Sequence, residues 1–264
     1  MTNKVAPNIG GNSLYDDAFY NKQVDESYKS AIVFAQHLFG IFKPQSVIDF
    51  GCGRGAWLKA FREAGARTLV GLDGGWNSQE KMLDQEITFV QKDLNKAIEL
   101  DCRYDLAISL EVAEHLQEDS AETFVKGIVM ASDVVIFGAA YIGQGGVDHI
   151  NEQTPTYWER HFRAHDYLAY DVFRPIFWGA EDVKYWYQQN TFLYVNSTSI
   201  VNKLLRERGF RPISNVEFME CVHPVLFRER LIANASTYSL VKEVIRRVLP
   251  SWALSFGKML IRSR

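Results

Sequence analysis

The segment VIDFGCGRGAW, Val47 to Trp57, decides the fold. Its first four residues are typical of a β-strand, and a helical pattern begins directly after its three glycines, Gly51, Gly53 and Gly55. Because glycine lacks a Cβ, the chain can turn tightly and a ligand can approach the backbone, while the following helix offers free N–H groups. The pattern predicts a cofactor site. A tight turn that serves packing alone is the alternative for an isolated glycine triplet.

Short β-rich segments alternate with helical ones along the chain. The predicted strands are Ser46–Phe50, Thr68–Leu72, Ile87–Gln91, Tyr104–Leu110, Asp133–Ala139, Leu168–Phe173 and Thr191–Val195. The predicted helices are Tyr28–Phe42, Ala56–Ala64, Gln79–Asp84, Ser120–Met130, Pro155–Ala164 and Ser199–Arg208. This alternation predicts an α/β fold with a doubly wound, mostly parallel sheet that has helices on both faces. Ligands bind such sheets beyond the carboxyl ends of the strands.

Composition narrows the class of partner. The 264 residues include 29 basic and 32 acidic side chains, and this net charge of −3 provides no general attraction for nucleic acid. A small acceptor fits better. The three cysteines lie far apart without a CxxC pair, which disfavours a disulfide framework or a thiolate zinc site. No apolar leader or membrane-spanning run is visible, so we expect a cytoplasmic protein.

Acidic residues close the strands that follow the glycines. Asp73 ends the second predicted strand, where a carboxylate can accept hydrogen bonds from both hydroxyls of a ribose. Asp93 ends the third, where it can accept an exocyclic adenine amine beside the apolar Leu94. Each acid alone is more often a turn residue or a helix cap. Their order after the glycine triplet favours a nucleoside-containing cofactor.

This ordered set resembles the class I S-adenosylmethionine-dependent methyltransferases, from about Tyr20 to Val195. DFGCGRG is similar to the first motif of that family, GLDGG to the second, KDL to the third and YDLAISLEVAEHL to the fourth. The resemblance implies a seven-stranded Rossmann-like sheet and S-adenosylmethionine as cofactor. The GxGxG spacing differs from the GxGxxG of dinucleotide-binding turns, which disfavours a nicotinamide oxidoreductase.

The resemblance also implies roles for individual residues. Gly51, Gly53 and Gly55 would lie near the methionine moiety, Asp73 would bind the ribose, and Asp93 with Leu94 would flank the adenine. Glu111 would lie beside the sulfonium, and Tyr20 would close over the cofactor. The remaining residues expected to line the cofactor are Asp49, Cys52, Trp57, Gly74 and Leu110. Core packing is the alternative for the aromatic residues.

Three further segments resemble a narrower group, the bacterial type 23 and type 11 methyltransferases associated with surface-glycan and secondary-metabolite pathways. They are LYDDAFYNKQ at Leu14–Gln23, GQGGVDHINEQ at Gly143–Gln153 and WYQQN at Trp186–Asn190. The resemblance implies O-methylation of a small acceptor such as a sugar, a glycan precursor or a secondary metabolite. The alternatives are a macromolecular methyltransferase acting on nucleic acid or protein, and a non-catalytic cofactor-binding protein.

A hydroxyl acceptor needs a base within hydrogen-bonding reach, and histidine suits this task near neutral pH. His149 is the preferred candidate because polar residues surround it after the fifth strand. His115 ranks second and Glu111 completes the predicted catalytic set. The alternative is that Asn151 to Thr154 chiefly cap the next helix while His149 bonds to the backbone.

Two features lie outside these motifs, a pair of histidines and the C-terminal tail. His161 and His165 have a spacing that can present two metal ligands on one helix, but a third ligand is not evident, and we predict no metal. The methyltransferase domain is expected to span residues 14–232, followed by a helical tail at 233–264. From Ser236 onward this tail has six basic residues and only one acid, so contact with a membrane or a partner is the alternative to docking on its own domain.

Overall fold

The computed structural model describes residues 13–233, with side chains described from residue 24. The chain divides into two compact units, Met1–Cys221 and Val222–Arg264. The first contains every strand and the helices named below. In the second, a helical segment runs from residue 224 to the last described residue. The predicted tail from Ser236 to Arg264 lies outside the described residues, and the predicted domain boundaries stay a prediction.

The first unit is a single sheet with helices on both faces. Its strands are β1 (Ser46–Phe50), β2 (Thr68–Asp73), β3 (Thr88–Gln91), β4 (Leu106–Leu110), β5 (Val134–Gly138), β6 (Tyr167–Tyr170) and β7 (Phe192–Asn196). Its helices are α1 (Ser13–Ile41), α2 (Ala56–Ala64), α3 (Ala121–Ala131), α4 (Pro155–Arg163), α5 (Arg174–Phe177), α6 (Tyr185–Asn190) and α7 (Ile200–Glu207). Short 3-10 turns lie at Gln79–Lys81, Ala113–His115, Glu118–Ser120 and Val216–Met219.

The strand order is β3-β2-β1-β4-β5-β7-β6, and only β7 runs antiparallel to its neighbours. The order reverses between β1 and β4, which pair in parallel with Val47 opposite Leu106. The predicted doubly wound, mostly parallel seven-stranded sheet is therefore confirmed. Such a reversal opens a crevice at the carboxyl ends of the two central strands.

Two apolar cores lie on the two faces of the sheet. On one face, Phe34 of α1 and Phe61 of α2 are fully buried; on the other, Phe124 of α3 and Phe162 of α4 are. Strands β4 and β5 are buried along their whole length, as expected for strands covered on both sides. Between residues 13 and 233, no helix combines the length and apolar character that crossing a bilayer requires.

Three predicted elements were wrong in extent. The helix predicted at Tyr28–Phe42 begins at Ser13 and ends at Ile41. The helix predicted at Gln79–Asp84 is a single 3-10 turn, because the Gln79 side chain bonds to the backbone of β3, donating to Ile87 O at 2.7 Å and accepting from Phe89 N at 2.8 Å. The strand predicted to reach Phe173 ends at Tyr170, because Asp171 pairs with Arg174 at the start of α5.

Candidate active site at the carboxyl ends of the strands

The glycine turn, residues 51–55, connects β1 to α2 with three left-handed glycines. Gly51 has φ 88° and Gly55 has φ 80°, and a Cβ at either would overlap a neighbour, Val112 Cγ1 at 2.6 Å and Ile87 Cδ1 at 2.7 Å respectively. Gly53 has φ 52°, yet a Cβ there would meet nothing within 4 Å. Two glycines thus permit close packing, and the third borders open space where a ligand can approach the backbone.

Two polar side chains hold this turn in place. Asp73, the last residue of β2, accepts hydrogen bonds from Gly53 N and Gly74 N, both at 2.7 Å. Asn77 donates its amide to Gly53 O and is buried. No sequence pattern singled out Asn77, which follows GLDGGW in an ordinary turn. Asp73 therefore binds the turn itself and also accepts a hydrogen bond from the Trp76 side chain. A carboxylate has about four lone-pair sites, so one would remain for a ligand.

A buried acid and a buried thiol lie under the turn. Asp49 in β1 is only 3% exposed; burial raises its pKa well above the ordinary value, and the Asp73 charge raises it further. Burial, with the charges of Asp49 and Asp73, also raises the pKa of the Cys52 thiol. Cys52 Sγ donates to Gly53 O at 3.4 Å. The thiol is thus a packing and bonding group rather than a nucleophile.

Replacement of Asp49 by asparagine is expected to reduce the pH dependence of stability. An unfolded chain ionises Asp49 near pH 4, whereas the folded chain favours its neutral form, so the wild type loses stability as pH rises towards the raised folded pKa. Asparagine cannot ionise. As pH rises above about 4, Asp49→Asn should become progressively more stable than the wild type, by up to about 1.4 kcal/mol per pH unit.

Urea unfolding of the cofactor-free protein at several pH values measures this effect. The exposed Asp101→Asn variant is a matched control because it removes a carboxylate away from the turn. A gain that is the same at every pH would contradict the assignment of this pH dependence to Asp49.

Several residues expected to bind the cofactor lie outside the turn. Asp93 is exposed; it caps Asn95 N at 3.1 Å and pairs with Lys96 Nζ at 3.0 Å, and this pairing lowers its pKa. Leu94 is buried, as is Leu110 at the end of β4. Asp93 thus has the bonds of a turn residue, and its contact with adenine stays a prediction.

The two aromatic candidates are placed differently. Trp57 is buried in α2, with its ring edge-to-face against Phe34 at 5.4 Å and Tyr187 at 5.1 Å. Trp57 thus has the core-packing role that the sequence offered as the alternative to contact with the cofactor. Tyr20 lies in α1 within the part where only the backbone is described. An aromatic that the sequence did not single out, Trp76, is 58% exposed and lies against Gly74.

Glu111 directly follows β4 and has φ 56°, a conformation that is uncommon for residues other than glycine. Its carboxylate accepts from Gln144 Nε2 at 2.6 Å and from Asn190 Nδ2 at 3.0 Å. Burial raises its pKa, and these two hydrogen bonds partly oppose that effect. The strained residue is thus fixed by two amides from distant parts of the chain. Strain of this kind often accompanies a functional position.

His149 lies in the β5–α4 loop, residues 139–154. Its Nδ1 is 2.9 Å from Glu152 Oε1. The two Glu152 oxygens also accept the backbone N–H groups of Gly143 at 2.7 Å and Gly145 at 2.6 Å. Because an ionised carboxylate only accepts, the neutral His149 ring carries its proton on Nδ1 and keeps a lone pair on Nε2. The alternative in which His149 bonds to the backbone does not describe Nδ1, because this atom pairs with the Glu152 side chain.

His115 and Glu114 lie beside His149. The His115 ring meets the His149 ring edge-to-face at 4.8 Å between centroids. Glu114 is fully buried, and its backbone oxygen accepts Ile150 N and Asn151 N at 2.9 Å each. Burial raises the pKa of Glu114 well above its usual value, and the nearby Glu111 raises it further. The predicted catalytic residues His149, His115 and Glu111 are therefore gathered at one edge of the sheet.

The turn and this group adjoin each other. Val112, which a Cβ on Gly51 would overlap, lies between Glu111 and Glu114. The other histidine pair is elsewhere: the His161 ring in α4 packs against Tyr157 at 4.9 Å. Among the described residues, no metal-competent group includes His161 or His165. The site thus pairs an open glycine turn with a histidine-carboxylate group, an arrangement that can bind a nucleoside-containing cofactor beside a deprotonating group.

A family model for a methyltransferase domain matches residues 20–126, which include the glycine turn, Asp73 and Glu111. Over residues 20–126 the chain is therefore similar to a methyltransferase domain. This match bears out the prediction of a methyltransferase enzyme with a Rossmann-like sheet. No curated protein matches the sequence of this methyltransferase.

Solved structures share the fold of the methyltransferase at low identity. SAM-bound CalS10, an amino pentose methyltransferase from Micromonospora echinaspora involved in calicheamicin biosynthesis, aligns with a TM-score of 0.52 and 13% identity over 73% of this chain and 100% of that one. A chain from the complex between the Haloferax volcanii Trm112 methyltransferase activator and a methyltransferase aligns at 0.51 and 14%, over 70% and 96%. The methyltransferase domain of bacterial CtHen1-C aligns at 0.47 and 18%, over 64% and 97%.

Proposed function

We propose that this methyltransferase transfers a methyl group to a hydroxyl of a small acceptor, such as a sugar, a glycan precursor or a secondary metabolite. The observation that carries the proposal is the pairing of His149 Nδ1 with Glu152, which in the neutral ring leaves Nε2 as the proton-accepting nitrogen, at the edge of the sheet that carries the glycine turn. The sugar-containing acceptor rests on the resemblance of the β5–α4 loop and of WYQQN to glycan methyltransferases. The net charge of −3 favours a small acceptor over nucleic acid.

The residues of the turn fit S-adenosylmethionine. The space beside Gly53 lets a ligand reach the backbone, and Asp73 retains a lone pair for a ribose hydroxyl. When bound, the cofactor supplies a methyl group on a positively charged sulfur. Gly51, Gly53 and Gly55 would lie along its methionine portion, and Asp73 with Gly74 along the ribose. Asp49 and Cys52 would support the turn from below.

At the acceptor end, the protein must align a hydroxyl and accept its proton. His149 is suited to accept that proton because Glu152 fixes the tautomer and stabilises the imidazolium that forms. Asn151 is buried, and its Nδ2 has no hydrogen-bond partner within residues 13–233, so it would be a donor for an acceptor oxygen that reaches it. Alignment of the reacting atoms can itself supply several orders of magnitude in rate.

Asp73→Asn is expected to weaken binding of S-adenosylhomocysteine about 10- to 100-fold, since a charge-assisted hydrogen bond contributes roughly 1.5–3 kcal/mol. Calorimetric titration of the wild type, Asp73→Asn and the exposed control Asp101→Asn measures the effect, and the control should bind like the wild type. Thermal unfolding of each variant separates lost affinity from a disturbed turn.

The same titration tests the function itself. If the wild type binds NADH but neither S-adenosylmethionine nor S-adenosylhomocysteine, the proposed function is wrong. Once binding is established, methyl transfer from labelled S-adenosylmethionine to a fractionated metabolite extract should label small polar compounds. Label found only in protein or nucleic acid would overturn the acceptor class.

A further inference from the structure

Glu114 has a feature that methyl transfer alone does not require. Its side chain is completely buried, and neither carboxyl oxygen has a hydrogen-bond partner of normal geometry among the described residues, although the backbone N–H groups of Glu114 and Ala140 lie nearby. A buried carboxylate without a partner is strongly destabilising unless a charge or donor compensates it. Such a group in a folded protein calls for an explanation, and an unfilled ligand position is one.

Both neighbouring histidines have the hydrogen bonds that metal-binding histidines have. His149 donates through Nδ1 to Glu152 Oε1 at 2.9 Å, and His115 Nδ1 lies 3.2 Å from the backbone oxygen of Asp148. Metal-ligating histidines almost always donate their second ring N–H to a carboxylate or a backbone carbonyl in this way. The Nε2 atom of each ring is therefore the one left for an ion.

These groups converge on one point. One ligand atom from each of Glu114, His115 and His149 can be chosen so that all lie within 4.8 Å of one another, and His149 Nε2 is 3.9 Å from Glu114 Oε1. Ligands about 2.1 Å from a common ion lie roughly 3–3.5 Å apart, so shortening these separations by up to about 2 Å would close the site. We propose that Glu114, His115 and His149 bind a divalent cation at the acceptor end of the methyltransferase site.

The ligand set indicates which cations fit. Two imidazoles and one carboxylate suit a first-row transition ion such as Mn²⁺, Co²⁺ or Zn²⁺ better than Ca²⁺ or Mg²⁺, which prefer oxygen ligands. Three protein ligands leave positions open for substrate. Gly146 lies against the site, because a Cβ there would fall 2.5 Å from His149 Cε1 and closer still to Nε2. Glycine at this position therefore keeps the approach to Nε2 free.

This inference rests on the proposed function and changes the part played by His149. With the cation bound, His149 is a ligand, and the cation lowers the pKa of the acceptor hydroxyl. The hydroxyl proton then passes to water, the acceptor oxygen forms a bond to the methyl carbon, and the bond from that carbon to sulfur breaks. A cation can also contact two neighbouring acceptor oxygens, which would select substrates with adjacent oxygen atoms.

The test uses the full chain, stripped with a chelator and titrated with Mn²⁺, Zn²⁺ and Co²⁺, with Mg²⁺ as a comparison. We expect one ion per chain and a visible absorption change with Co²⁺. His115→Ala alters an exposed side chain and should raise the Kd for the ion by more than about 100-fold, because the loss of an outer-shell partner alone costs about 10- to 100-fold. Glu114→Gln should do the same, and Glu152→Gln should raise the Kd about 10- to 100-fold.

His161→Ala is the matched control, since this histidine lies in α4 against Tyr157 and should leave ion binding unchanged. Equal ion affinity in wild type, His115→Ala and Glu114→Gln would overturn the site. So would a wild type that binds S-adenosylhomocysteine but no ion, or methyl transfer that continues undiminished in chelator; in both cases the proposed function stands and His149 acts as the proton acceptor. Loss of S-adenosylhomocysteine binding would instead count against the proposed function.

Discussion

Replacing His149 by alanine is expected to lower kcat about 10²- to 10⁴-fold, the contribution typical of a positioned acid-base group. Binding of S-adenosylhomocysteine should not change, because the donor residues Gly53 and Asp73 belong to the turn after β1 and the end of β2. The loop should keep its shape, since Glu152 still accepts the N–H groups of Gly143 and Gly145. The loss is expected whether Nε2 accepts a proton or binds a cation.

Single-turnover methyl transfer, with the acceptor found from the extract, measures the chemical step directly. His161→Ala replaces a histidine of α4 outside the site and should retain wild-type kcat. Should His149→Ala also retain wild-type kcat, the acceptor would have to lie elsewhere, and the assignment of the β5–α4 loop would be wrong.

Alanine at Gly51 should mainly lower stability, whereas alanine at Gly53 should mainly lower affinity for the cofactor. At Gly51, a φ of 88° and the overlap with Val112 combine strain with overpacking, so the free energy of unfolding should fall by roughly 2–6 kcal/mol. At Gly53 the φ of 52° is left-handed but the space is open, so Gly53→Ala should cost only about 1–2 kcal/mol. Its methyl group, however, would occupy the space assigned to the cofactor.

Urea unfolding and calorimetry with S-adenosylhomocysteine separate the two outcomes. Gly51→Ala should fail mainly in stability, whereas Gly53→Ala should fold and lose affinity. If Gly53→Ala binds S-adenosylhomocysteine as tightly as the wild type, the open space beside Gly53 is not where the cofactor approaches, and the placement of the methionine moiety must change.

The sequence predicted best those elements whose cause is local. Strand β1 and helix α2 have the predicted bounds, because a β-rich run, a glycine turn and an amphipathic helix follow one another without interruption. The helix expected at Gln79–Asp84 was wrong because one side chain, Gln79, bonds to the backbone of β3 instead. A periodic pattern does not reveal that competition.

The candidate site was predicted in part for a similar reason. Strand ends are visible in the sequence, so Asp73 and Glu111 could be placed at one edge of the sheet. The partners of Glu111 could not be placed from the sequence, because Gln144 lies in the β5–α4 loop and Asn190 at the end of α6, both far along the chain. Glu114 lies in the segment that is similar to the fourth family motif, and the sequence did not single it out. Only its burial without a hydrogen-bond partner among the described residues distinguishes it.

The carboxylate of Glu152 binds Gly143, Gly145 and His149 at once, so these four positions form one interdependent unit. Other residues of the loop are free of that constraint: Ile142, Val147 and Ile150 are exposed apolar side chains. Within this loop, some positions are therefore constrained by Glu152, and others are free to vary. Homologous enzymes could exchange the outward positions, and with them the shape offered to an acceptor, while inheriting the geometry around the histidine intact.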